Sequence, residues 1–149
     1  MADPKSFLFP ALGVLAGGLL AVQSILNAAL GQRSGVLTSM VVLSLISVAT
    51  LLLILAAFPH SIDFKALPGL PHAYLYLGSL LGLAILATPI FLVPRIGTAS
   101  TLITIVLGQL LLALLIDHFG FLGSPKIAMT LPRLAGALLA ATGAFLVLK

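Results

Sequence analysis

Long uncharged stretches alternate with short polar breaks along this chain. No charged residue falls from Ser6 to Gln32, from Ser34 to Ile62, from His72 to Pro94, from Ile96 to Ile116 or from Leu134 to Leu148. A bilayer core of roughly 30 Å takes about 20 helical residues, and four of the five stretches reach that length. The last is shorter, but Arg133 can snorkel from its first turn, and Pro132 suits a helix start. The pattern predicts five transmembrane helices near residues 7–31, 36–58, 73–93, 97–117 and 131–148. Barrel strands would alternate in polarity over about ten residues, and no segment does.

The breaks carry the composition of loops. Residues 59–71 hold three prolines, a glycine and two charges. Pro94-Arg95 is expected to form a very short turn between the third and fourth helices, and residues 120–132 the last connection. In that connection the apolar run Ile127 to Met129 can lie in the interface. Tyr74 and Tyr76 mark a membrane boundary, as aromatic belts do. The N-terminal stretch reads as a first span and not as a cleaved signal: Pro10 interrupts it, Asp3 offsets Lys5, and it is too long for an h-region.

Composition agrees. Of 149 residues, 61% are hydrophobic and 7% charged, against about 25% charged in a soluble domain. The mean hydropathy is +1.30. The whole chain is therefore expected to be one all-α integral membrane domain. With no cysteine there is no disulfide, thiol nucleophile or Cys-ligated zinc. The net charge of +4 forms no cluster and reads as topology signal, not as a nucleic-acid footprint. No cofactor or metal is called for, and an enzyme is the weakest reading, because no nucleophile and base converge.

The distribution of charge bears on orientation. Five spans put Lys5, Lys65, Lys126 and Arg133 on one side and Arg33, Arg95 and Lys149 on the other, four against three. Lys/Arg bias in short loops sets orientation, and this split is nearly even. Either finer features select one orientation, or the chain inserts both ways and two copies form an antiparallel dimer. Many transporters are built from inverted repeats. This chain would be one such repeat, half of a 5+5 assembly, with a second inverted copy or a paralogue supplying the rest.

Polar residues inside the spans mark candidate chemistry. Gly13, Gly17, Ser24, Asn27 and Gly31 fall on one face of the first helix, with Gln23 four residues before Asn27. Buried amides need partners: Gln23 and Asn27 either bond a neighbouring helix or line a polar cavity. The fourth helix carries Gly97, Thr101, Thr104 and Gly108 as a stripe, flanked by Ser100 and Gln109. Its hydroxyls can bond back to their own helix, whereas Gln109 needs an outside partner. Gln23, Asn27, Thr101, Thr104 and Gln109 are the candidate substrate-cavity residues. Gly13, Gly17, Gly78, Gly82, Gly136, Ala140 and Gly143 read as packing or dimer contacts. Pro89 is expected to kink the third helix, as a gate or as plain architecture. Asp117 and His118 lie at a boundary on the same side as His60, Asp63 and His72. They are either interfacial residues or part of a gating or coupling site. No Asp or Glu stands at mid-span.

Several of these residues occur in runs that resemble a known family. Pro94-Arg-Ile-Gly-Thr-Ala99, Gly108-Gln-Leu110, Ile116-Asp-His-Phe-Gly120, Gln23-xxx-Asn27-xxx-Gly31 and Arg133-xx-Gly136 are similar to the YdcZ-like family of bacterial inner-membrane proteins. That family lies in the drug/metabolite transporter superfamily. The resemblance implies a five-helix protein that works by alternating access as an antiparallel dimer. It implies a protein of the bacterial inner membrane and supplies an architecture more than an activity; the first functional expectation is a small-molecule exporter. A non-transporting accessory subunit and a lipid flippase share the same architecture and remain alternatives.

Overall fold

The computed structural model describes residues 5–59, 63, 65 and 67–149, without the side chains of Lys5, Ser6, Leu70, Pro71 and Leu122. The described residues form five α-helices: α1 (Lys5–Ser34), α2 (Val36–Ala57), α3 (Leu77–Ile96), α4 (Thr98–Phe119) and α5 (Leu131–Val147). None of them is in a strand. The segments holding α1 to α4 are four helices long and apolar enough to cross a membrane. The 17 residues of α5 extend about 26 Å at the α-helical rise.

The outward faces are apolar. Val14, Leu37, Leu53 and Leu139 are each more than 70% exposed. Such a surface is unfavourable in water and suits a hydrocarbon solvent, where the helical backbone satisfies its own polar groups. The chain is an all-helical membrane protein.

Two compact units make up the chain, Met1–Pro94 and Arg95–Lys149. In the first, α1 and α2 meet at one residue, Gly35, with φ 83° and ψ 155°. Essentially only glycine adopts those angles. The Ser39 N–H (3.0 Å) and hydroxyl (2.7 Å) both donate to the Gly35 carbonyl. Near the start of the second unit, Gly97 stands at φ 80° and ψ 166° between α3 and α4. There the Thr101 N–H (3.1 Å) and hydroxyl (2.8 Å) donate to the Gly97 carbonyl. Ser39 and Thr101 are both fully buried. An arginine precedes each glycine by two residues, Arg33 and Arg95. One local device, Arg-x-Gly-xxx-Ser/Thr, thus builds both loop-free helix junctions.

This moves the turn expected at Pro94-Arg95. Helix α3 runs through Pro94 to Ile96, and the break falls at Gly97. Proline carries a helical φ and disturbs only the turn before it, whereas the junction needs a positive φ. Helix α3 also begins later than residue 73. A 3₁₀ segment, Leu70–Tyr76, leads into it, and His72 leaves helical angles there (φ −111°, ψ 19°). The Tyr76 hydroxyl donates to the Pro68 carbonyl at 2.9 Å, tying that segment down.

The buried centre of the first unit lies around Ala28, Gly31, Ser39 and Ile90. A Cβ on Gly31 would collide with Cγ2 of Ile90, so glycine lets α1 and α3 touch there. In the second unit the buried residues of α5 are Ala137 and Ala144, and that of α4's second half is Leu114. Gly136 lies outside this seam, exposed. Alanines at seven-residue spacing let helices approach closely, as small residues do in lipid.

Candidate functional site

The first unit carries an open-sided cavity of about 490 Å³ between α1, α2 and α3, within the range of small-molecule sites. Gln23 and Asn27 line it from α1, Ser44 and Ser47 from α2, and Ser79 and Gly82 from α3. Leu43, Ile46, Val48, Leu83 and Leu86 complete an apolar wall. No ionisable side chain is among these lining residues.

Asn27 is the key group. It is only 5% exposed, yet its carboxamide makes no hydrogen bond among the described residues. Its amide nitrogen and oxygen are not among the fully buried unpartnered atoms, so they keep access to the cavity. A carboxamide offers two donors and two acceptor lone pairs, so Asn27 presents unused capacity to the cavity. Gln23, one helical turn earlier, is exposed at its edge.

The serines divide by their bonding. The Ser47 hydroxyl donates to the Leu43 carbonyl at 2.9 Å, so only its lone pairs face the cavity. Ser44 and Ser79 make no such bond among the described residues, so their hydroxyls can serve as donors as well. Neither they nor Ser47 stand out in the sequence. The available signal is Ser44-xx-Ser47 on one face of an uncharged helix, and Ser79 beside the Gly78-xxx-Gly82 pair. Gly82, expected as a packing residue, forms cavity wall. Nothing lies within 4 Å of where its Cβ would stand.

The other cavity candidates belong to the second unit. The hydroxyls of Thr101 and Thr104 bond back along α4, to Gly97 at 2.8 Å and to Ser100 at 2.8 Å. Gln109 is exposed on α4. A Cβ added to Gly13, Gly17, Gly78, Gly136 or Gly143 would likewise meet no atom of the described residues within 4 Å. Of the first helix's glycine face, only Gly31 packs. Ser24, on the same face, donates to the Leu20 carbonyl at 2.7 Å.

Pro89 is buried in α3, and it removes the hydrogen bond that the Ile85 carbonyl would otherwise accept. Asp117 forms an ion pair with Arg133, Oδ2 to Nη2 at 2.6 Å, joining the end of α4 to the first turn of α5. Its backbone carbonyl accepts from Ile127 N at 2.8 Å. His118 Nδ1 accepts a long bond of 3.4 Å from Met129 N. The apolar run Ile127 to Met129 is thereby pinned to the end of α4. Gly120, at φ 69°, makes the turn that brings it back. The Nη1 of Arg133 is buried without a hydrogen-bond partner among the described residues. His60, grouped with these residues by sequence, lies outside the described residues.

No curated protein and no solved structure matches the chain. One family model does, described as "Putative inner membrane exporter, YdcZ", and it matches residues 8–146. With its helices, its apolar exterior and a match over nearly its whole length, the chain belongs to the YdcZ family of inner-membrane transport proteins, as a multi-pass member.

Proposed function

We propose that this protein exports small molecules by alternating access, as an antiparallel homodimer whose two copies are oppositely oriented in the membrane. Residues 1–149 act in it as one transmembrane domain crossed by all five helices. The observation that carries the reading is the unbonded carboxamide of Asn27, a largely buried residue, facing an uncharged, open-sided cavity of about 490 Å³ between membrane helices. A buried amide that only packed two helices together would be bonded to one of them. Family membership supports export. The four-to-three split of Lys and Arg supports mixed orientation.

Substrate contacts are assigned to Gln23 and Asn27 in the first unit and to Thr104 and Gln109 in the second; Thr101, fully buried on the Gly97 carbonyl, is assigned to holding that helix start. The exposed glycines Gly13, Gly17, Gly78 and Gly136, with the half-buried Gly143 and Ala140, offer close contact to the second copy. Asp117 and His118 are assigned to coupling or gating, and Pro89 to bending of α3 as the copies rock.

Everted membrane vesicles containing the protein, incubated with a small-molecule cell extract and read by mass spectrometry, test the reading. At least one compound is expected to accumulate with the wild type and not with Asn27→Leu. Accumulation that is the same for both chains, or absent with the wild type, contradicts it.

A further inference from the structure

We infer that the first-unit cavity selects an uncharged ligand with an apolar body and an amide- or hydroxyl-type hydrogen-bonding head. The inference rests on the exporter reading and names the class of molecule that this site takes.

Three observations lead to it. Asn27 is largely buried, but its unbonded amide atoms stay accessible, so the site offers donors and acceptors together from a single group. Ser44 and Ser79 add hydroxyls with no partner among the described residues, and Gln23 adds a second carboxamide at the edge. Leucines, an isoleucine and a valine supply the rest of the wall, with no ionisable group among the lining residues.

The chemistry follows from what each ligand would lose and recover. A neutral amide gives up its bonds to water and regains them from Asn27, while its apolar body meets Leu83 and Leu86. A carboxylate or an ammonium gives up a much stronger hydration shell and meets no opposite charge. In a site of low polarity that loss is not recovered. A carboxamide is also self-complementary, donating through its NH₂ and accepting through its oxygen. It therefore matches a ligand amide or alcohol and cannot neutralise an ion.

Three ligands of one size separate these cases: 2-naphthamide, 2-naphthoate and 2-naphthylmethylammonium. Equilibrium dialysis against nanodiscs holding the full-length protein, with empty nanodiscs subtracted, reads their affinities. The amide is expected to bind at least about tenfold more tightly than either ion, and Asn27→Leu to weaken it about tenfold. Asn27→Asp, which adds an anion, is expected to make the ammonium the preferred ligand. Should Asn27→Leu not fold, Ser44→Ala is expected to weaken amide binding about threefold.

Equal or tighter binding of either ion by the wild type overturns the inference. So does failure of all three to bind, or amide binding that neither Asn27→Leu nor Ser44→Ala changes. Selective amide binding by a protein that moves no solute would sink the exporter reading and leave the ligand class standing. Transport confined to charged solutes would do the reverse.

Discussion

Gly31 of α1 meets Ile90 of α3 so closely that a single added methyl would collide with the isoleucine's Cγ2. Ile90 is 2% exposed and cannot swing into open space. Gly31→Ala is therefore expected to destabilise the folded protein by about 1–3 kcal/mol, the range for overpacking a tight site. Ile90→Ala removes the obstructing carbon. The double variant should be less destabilised than the two single effects added together, by about 1 kcal/mol or more. Thermal unfolding in detergent measures this, and strict additivity would mean that the two residues do not touch.

Gly35 and Gly97 carry the two helix junctions at backbone angles that other residues rarely adopt. Gly35→Ala and Gly97→Ala are each expected to cost about 1–3 kcal/mol of strain. Gly18 provides the control, because it lies inside α1 with nothing within 4 Å of a Cβ. Gly18→Ala is expected to be neutral or to stabilise by up to about 1 kcal/mol through helix propensity. Equal effects at all three positions in the same unfolding assay would contradict the junction account.

These junctions show where sequence reading works and where it stops. Uncharged runs bounded by Lys5, Arg33, Arg95, Asp117 and Arg133 point to apolar helices, because length and charge are what a bilayer sorts. The letters place the turn at Pro94-Arg95, yet it sits at Gly97. Proline is visible as a helix breaker, but the sign of φ decides the junction, and that is a backbone property. The recurrence of Arg-x-Gly-xxx-Ser/Thr is legible in letters and acquires meaning only with Ser39 and Thr101 seen buried on their glycine carbonyls.

The candidate site is legible by half. Gln23 and Asn27 stand out because an amide is costly inside a membrane helix. Ser44, Ser47 and Ser79 do not, since a helical hydroxyl can satisfy itself on its own backbone. Ser47 does so and Ser44 does not, a difference that side-chain rotation sets and residue type leaves open.

Asp117 and Arg133 pair at 2.6 Å with about a quarter and a third of their side chains exposed, respectively. Their coupling should lie above the value of about 1 kcal/mol or less for fully exposed pairs and below the roughly 3–5 kcal/mol seen on breaking buried ones. A double-mutant cycle with Asp117→Ala and Arg133→Ala measures it. Loss of Asp117 should also loosen the connection that Ile127 N anchors, so trypsin is expected to cut after Lys126 faster than in the wild type. Unchanged cleavage would mean that the connection is held without the ion pair.

The most direct test of the account concerns orientation, and the cysteine-free sequence makes it clean. Ser6→Cys places one thiol near the start of α1. Labelling intact cells with a membrane-impermeant maleimide, then counting labelled chains, reads the side on which the N-terminus lies. An antiparallel homodimer predicts that about half of the chains are labelled, since inverted copies are present in equal number. Labelling of all chains, or of none, would contradict it.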